Sequence, residues 1–161
     1  MQRREWVLVT LPFFLTWVLD RVTKHAAERL TDIIAIGPLQ LVLHHNHGAM
    51  LGLFSELPEV LRVVTLATTG AFLFCAYLLL QYLVPLKSLI LRGGLSFLIG
   101  GILGNVTDRI IWGYVVDFLN FNFRGYQTPV FNFADALQWI GYGMIVYALV
   151  RQGAIFWPEN N

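Results

Sequence analysis

Apolar residues come in long runs along the chain. Five long stretches contain no Asp, Glu, Lys or Arg: 6–19, 33–55, 63–86, 93–107 and 136–150. A helix that crosses a bilayer needs about 20 mostly apolar residues. The run 63–86 meets that length directly, with Leu, Val, Phe, Ala and Tyr interspersed with Thr and Gly. The run 93–107 reaches it by starting near Ser88 and continuing through Asp108, and 136–150 reaches it by starting near Asn132 and stopping at Arg151. The first run is short, but Trp6 at one end and Arg21 and Lys24 at the other suit the two interfaces, where long basic side chains extend their charge into water. The run 33–55 differs. Gly37-Pro38 interrupts any helix, and Leu39, Leu41 and Leu43 alternate with Gln40, Val42 and His44, a period of two that predicts a strand. The polar cluster His44-His45-Asn46-His47 would be costly in lipid and places this segment outside the bilayer core. The pattern therefore predicts a mainly α membrane protein of one domain, residues 1–161, with four transmembrane helices at about 6–24, 58–84, 88–109 and 132–151. A β-like cradle is expected at about 30–57 and a loop at about 110–131.

Composition supports this picture. Hydrophobic residues make up 57% of the 161 positions and charged residues 13%, against about 25% charged in soluble domains. A disordered chain, a basic nucleic-acid binder and most water-soluble folds are excluded, which leaves membrane lipids as the surroundings and no nucleic acid as a partner. Cys75 has no second cysteine to pair with, and its place within an apolar run reads as a small buried apolar residue. Arg3-Arg4 ahead of an apolar run outlines a signal peptide. No small-x-small cleavage site follows Leu19, so a retained helix is expected. The basic residues divide almost evenly, with Arg3, Arg4, Lys87, Arg92 and Arg151 on one side and Arg21, Lys24, Arg29, Arg62, Arg109 and Arg124 on the other. The Arg3-Arg4 pair beside the first helix and the basic short loop place both termini inside.

Ionisable groups at or within membrane helices point to function, and here nearly all fall toward one end of the bundle. Asp20 and Lys24 are four apart and share a helix face, where an ordinary ion pair is worth a few tenths of a kcal/mol. Ser96, Gly100, Gly104 and Asp108 recur every four residues, a stripe of small residues that lets helices approach closely. Gly101, Asn105 and Arg109 form the neighbouring stripe. Asn132 and Asp135 suit a helix start, as cap and dipole partner. Asp117 and Asp135 can do more. Two carboxylates held close together cannot both ionise, so one keeps a proton while the other acts as a base, an arrangement able to activate water without metal or cofactor. A segment returning over the bundle between them would bring the two together. His44, His45 and His47 have the wrong spacing for a helical metal site and no second cluster completes a tetrahedron. Two other readings use the same charges: a proton- or ion-coupled transporter, and a structural or chaperone-like membrane subunit. Clustering of the charges at one end, instead of across the midplane, weighs against the transporter.

Five segments together resemble lipoprotein signal peptidase, also called signal peptidase II: Asp20-Arg-Val-Thr-Lys24, Asn46-His-Gly48-Ala49, Gly104-Asn105-Val-Thr-Asp108-Arg109, Val116-Asp117-Phe118 and Phe131-Asn132-Phe-Ala134-Asp135. The resemblance runs over about residues 6–150. It implies a bacterial inner-membrane aspartic peptidase with four transmembrane helices, cytoplasmic termini, a small β-like cradle on the periplasmic side and an active site toward that face. It further implies removal of the signal peptide from diacylglyceryl-modified prolipoproteins just before the lipidated cysteine, with no metal or other cofactor, in a monomer sensitive to globomycin-like inhibitors. Carried over by motif, Asp117 and Asp135 are the catalytic dyad. Asp20, Lys24, Asn46, Gly48, Asn105, Asp108, Arg109, Asn132 and Ala134 form the supporting and substrate-binding shell. Two positions depart from the family's usual pattern: Arg21 stands where Gln is common, and His47-Gly48-Ala49-Met50-Leu51 replaces a run of smaller residues ending in Ala-Phe.

Overall fold

The computed structural model describes residues 3–48, 58–82 and 88–151. Four helices make up most of it: α1 (Arg3–Ala27), α2 (Glu59–Tyr82), α3 (Leu89–Trp112) and α4 (Phe133–Arg151). Strands β1 (Ile34–Ile36), β2 (Leu39–Asn46), β3 (Val115–Phe123) and β4 (Tyr126–Gln127) form a small antiparallel sheet in the order β1-β2-β3-β4. Among the described residues, three helical stretches are long and apolar enough to cross a membrane, Val63–Gln81, Leu89–Trp112 and Phe133–Arg151. Large apolar side chains stand exposed on these helices, among them Phe72, Leu79, Trp139, Ile140, Val146 and Val150. Such a surface suits lipid and not water, as in a multi-pass membrane protein. Helix α1 exposes Val7, Leu11, Phe14 and Val18 in the same way, but places Asp20, Arg21 and Lys24 in its last turns.

Helix α3 is central and packs against the other three helices. Lipid tails are as apolar as leucine, so membrane helices gain little by hiding apolar surface and associate through close packing. Glycine supplies it here. A Cβ on Gly101 would stand 2.6 Å from the Ala134 carbonyl oxygen, and one on Gly141 would stand 2.7 Å from the Gly94 carbonyl oxygen. One on Gly104 would meet Asp20 Oδ2 at 2.6 Å. The start of α3 is capped by Ser88, whose side chain accepts the Leu91 N–H at 3.1 Å. Its end is set by Gly113, which takes a left-handed conformation (φ 77°) and donates its N–H to the Arg109 carbonyl. At the α2–α3 end, buried Arg92 and Gln81 clasp each other: Arg92 Nε donates to Gln81 Oε1 at 2.8 Å, and Gln81 Nε2 to the Arg92 carbonyl at 3.0 Å.

A second small core of Ala27, Val116, Phe118 and Leu119, flanked by Leu39, Leu41, Leu43 and Phe131, seats the sheet on the end of α1. The leucine alternation of 39–43 lies in β2, whose register against β3 shifts between Leu41 and His44. Three expectations are corrected. The segment 110–131, read as a loop, is the last turn of α3 followed by the β3–β4 hairpin, which turns at Arg124-Gly125 with positive φ at both. Helix α1 runs about a turn beyond the expected bounds at each end, and α3 runs about a turn further at its C-terminal end, because Gly113 and not Arg109 carries the stop signal. Cys75 is exposed on α2 instead of buried, since α2 meets the bundle along one face only. Residues 49–57 of the expected cradle and 83–84 of the second helix lie outside the described residues, as do Ala49, Met50 and Leu51.

Gly141→Ala is expected to lower stability by about 1–3 kcal/mol, because backbone atoms of α3 cannot yield. Gly143, where an added methyl group would meet no neighbouring atom within 4 Å, serves as the control: Gly143→Ala should leave the unfolding midpoint in detergent unchanged or slightly raised. Equal loss in both variants would argue against the α3–α4 contact.

Candidate active site

Three helix ends and two strands converge at one end of the bundle. The last turns of α1 bring Asp20, Arg21 and Lys24, and the last turns of α3 bring Asn105, Asp108 and Arg109. The end of β2 brings Asn46 with Gly48 just after it, β3 brings Asp117, and the start of α4 brings Asn132, Ala134 and Asp135. Asp20, Lys24, Asp108 and Asn132 are 0% exposed and Asp117 is 1% exposed, while Asp135 is half-buried. Every site residue expected from the sequence thus belongs to this cluster. Ala134 contributes closeness: its carbonyl oxygen faces Gly101 and its Cβ lies toward Gly104.

The cluster has two parts with different electrostatics. In the first, Lys24 Nζ lies 2.8 Å from Asp20 Oδ2 and 2.7 Å from Asp108 Oδ2. Arg21 pairs with Asp108 and, at 3.1 Å, with Asp20 Oδ2. Two cations therefore match two buried anions, as burial of charge requires. In the sequence Arg21 stands out only as a departure from a pattern. Its partnership with Asp108 on α3 depends on the helix packing, and its adjacency to Asp20 is the one hint the sequence offers. Its guanidinium also lies over the Trp112 ring, 5.4 Å from the centroid.

The second part holds Asp117 and Asp135, and their hydrogen-bond donors are amides. Asn46 Nδ2 donates to Asp117 Oδ2 at 2.9 Å, and Asn132 Nδ2 to Asp117 Oδ1 at 2.6 Å. Asn105 Nδ2 donates to Asp135 Oδ1 at 2.8 Å, and the Asn132 N–H to Asp135 Oδ2 at 3.2 Å. In return the Asp135 N–H donates to Asn132 Oδ1 at 3.0 Å, a reciprocal cap of the kind that satisfies two otherwise orphaned donors at a helix start. Asn132 thus holds both carboxylates at once. What brings it there is the hairpin. The Phe131 N–H donates to the Leu119 carbonyl at 2.8 Å, and its own carbonyl accepts from Phe118 and Leu119, so the chain leaving β4 is stitched beside β3 two residues from Asp117.

Burial, opposed by the Asn46 hydrogen bond and reinforced by the negative charge of Asp135, pushes the Asp117 carboxyl up to about 7. Such a displacement disfavours the ionised form by about 4 kcal/mol. Near neutrality Asp117 is therefore about half protonated, a carboxyl able to act as an acid beside a second carboxyl group, the combination needed for acid and base chemistry at one place. His45 instead pairs with Glu28 at 3.3 Å and stacks on Tyr114. Among the described residues no three His, Cys, Asp or Glu side chains gather as a metal-binding set.

Residues 12–151 match the family model described as Signal peptidase (SPase) II. The chain belongs to the signal peptidase II family. Among its relatives, the lipoprotein signal peptidase of Aquifex aeolicus (strain VF5) is 33% identical over 150 residues, covering 91% of this chain and 87% of the relative. The lipoprotein signal peptidase of Staphylococcus aureus (strain JH9) is 32% identical over 139 residues, covering 83% and 82%. Two solved bacterial membrane enzymes share the fold. One, at 2.3 Å resolution, aligns with a TM-score of 0.78 at 26% identity over 95% of this chain and 93% of its own. The other, at 1.9 Å, gives 0.75 at 28% identity over 89% and 92%. The signal peptidase II match takes in every residue of the polar cluster, from Asp20 to Asp135.

The raised Asp117 carboxyl has a consequence for folding. The folded-state value lies above the unfolded one, so the folded protein binds the extra proton and stability falls as pH rises from about 4 to about 7. Asp117→Asn removes that slope. The unfolding midpoint of the variant, measured against the unsubstituted protein in detergent, is expected to gain steadily across this window; parallel curves would show that Asp117 ionises normally.

Proposed function

We propose that the protein is an aspartic endopeptidase that removes the signal peptide from diacylglyceryl-modified prolipoproteins, cutting just before the lipidated cysteine. The observation that carries the proposal is the amide-lined pair Asp117–Asp135 tied together by Asn132 at one end of a lipid-facing bundle. Membership of the signal peptidase II family supports the substrate class, and the bundle's exposed apolar flanks suit a substrate that arrives laterally with its acyl chains in the bilayer.

In this reading Asp117 brings the proton and Asp135 the base. Asp135 takes a proton from water as the water oxygen bonds to the scissile carbonyl carbon, and Asp117 gives its proton to the carbonyl oxygen. The resulting gem-diol collapses with cleavage of the C–N bond. The proton on Asp135 passes to the leaving amine, and one hydroxyl proton returns to Asp117. Both carboxyls end as they began. Asn46, Asn105 and Asn132 hold their orientation through this exchange. Asp20, Arg21, Lys24 and Asp108 brace the helix ends that carry them, while Arg109 donates to the Gly48 carbonyl at 2.8 Å and steadies the end of β2. The same reading gives α1 a fourth membrane crossing, places both termini in the cytoplasm and the dyad toward the periplasmic face of the inner membrane, and expects a monomer inhibited by globomycin-like compounds. It assigns no metal.

The test is incubation of the purified protein with a diacylglyceryl-modified prolipoprotein, read as a shift in band size. Asp117→Asn and Asp135→Asn should each abolish the shift while the far-UV spectrum is retained, and normal turnover by either would sink the dyad. Because Asp117 must be protonated, cleavage should decline as pH rises through about 7. Chelators should leave the rate unchanged, whereas a loss restored by zinc would return the histidines to consideration.

A further inference from the structure

Lys24 is a cation with no exposure. It forms ion pairs with two carboxylates, Asp20 Oδ2 and Asp108 Oδ2, and donates a hydrogen bond to the first. It donates a further hydrogen bond to a neutral amide oxygen, Asn105 Oδ1, at 2.8 Å. Charge balance does not call for that bond, since Arg21 already pairs with the same two carboxylates. Its effect lies on Asn105. An asparagine amide has one accepting end and one donating end, and an ammonium can only donate. With Lys24 on one side, and with Asn132 Nδ2 donating to the same oxygen at 3.1 Å, Asn105 must turn its Nδ2 the other way, to Asp135 Oδ1 at 2.8 Å. The reversed amide would set its NH2 against the Lys24 ammonium and its oxygen against the Asp135 carboxylate, unfavourable contacts on both sides.

We propose that Lys24 is a positioning residue for the peptide-cleavage step, acting through Asn105: by fixing the Asn105 amide it holds the Asp135 carboxylate in one orientation. This rests on the dyad reading above. With Asn105 on Oδ1 and the Asn132 N–H on Oδ2, both oxygens of Asp135 have a donor, so the carboxylate cannot swing about its Cβ–Cγ bond. Without Lys24 the Asn105 oxygen keeps only the longer Asn132 bond at 3.1 Å, so the amide is held less firmly and the restraint on Asp135 Oδ1 weakens. Lys24 itself is buried and does not reach a substrate. The charged and titratable groups around the dyad are Asp20, Arg21 and Lys24 from α1, Asp108 and Arg109 from α3, and His44, which lies opposite Asp117 in the β2–β3 register. Of these, it is Lys24 whose hydrogen bond ends on Asn105 Oδ1.

The experiment is a double-substitution cycle on the purified full chain with a diacylglyceryl-modified prolipoprotein. Lys24→Met and Asn105→Ala should each lower kcat about 100-fold, the scale of a misplaced catalytic group, with KM within about twofold of the starting value. The double variant should be no worse than Asn105→Ala alone, since one path carries both effects. Lys24→Met leaves two buried carboxylates with one cation and can fail to fold. The same cycle in an Asp20→Asn background, which removes one charge of each sign, keeps the measurement available. Losses that multiply, or that fall on KM, would overturn the proposal and leave Lys24 a structural ion. The outcome is separable from the dyad assignment: turnover by Asp117→Asn would reject the dyad, whereas an inactive Asp117→Asn with multiplying Lys24 and Asn105 losses would reject only the role of Lys24.

Discussion

A carboxylate taken out of water must be given partners, and the kind of partner decides what the carboxylate can then do. Four acidic groups crowd one end of this apolar bundle. Asp20 and Asp108 have Lys24 and Arg21, a balanced set of charges in direct contact. Ion pairs of this kind are costly to break, because removing one member strands a buried charge, and they hold the ends of α1 and α3 together. Asp117 and Asp135 have asparagine amides instead. Neutral donors orient a carboxylate without cancelling its charge, so at Asp117 burial outweighs the opposing hydrogen bonds from Asn46 and Asn132. The cluster thus divides four chemically similar side chains into a pair braced by cations and a pair held by amides, the proposed dyad.

That division depends on backbone approach. Hydrogen bonds of about 3 Å between side chains on α1, α3 and α4 need helices closer than ordinary side chains permit, and α3 meets the requirement with glycine where the polar residues begin. Gly104 faces the Asp20 carboxylate, and Gly101 faces the carbonyl of Ala134, next to Asp135. The small-residue stripe and the charge cluster are therefore one feature: the stripe sets the distance at which the cluster can form. At the far end of α3, Gly94 and Gly141 maintain the same spacing against α4.

Features set by local chemistry were legible in the sequence. Asp20 and Lys24 share a helix face by their spacing, Asn132 and Asp135 read as a cap, and Leu39, Leu41 and Leu43 mark a strand. The β3 strand was hidden because its first six residues are all buried. Packed against both α1 and α3 and paired with its sheet neighbours, Val115–Asn120 carries no inside-outside alternation, and the pattern there reads as a loop. The partnership of Arg21 with Asp108 was hidden for another reason, since it depends on the distance between two helices. The convergence of Asp117 with Asp135 could be supposed but not located; it comes from backbone bonds between Phe131 and Leu119, to which side-chain identity contributes little.

Those backbone bonds also explain why the proposed dyad can be held in fixed geometry while built from separate elements. Asn132 is at once the residue after the β-bridge, the cap of α4 and the donor to Asp117. A shift of the hairpin relative to α4 would break all three relations together, so small displacements are opposed by several bonds instead of one. The two carboxyls are also unequal in a way that follows from their elements. Asp117 sits within a covered strand and is almost fully buried, whereas Asp135 sits on the first turn of a helix and is half-buried. In the proposed reaction a peptide would therefore be met from the α4 side, while burial favours the protonated form of Asp117.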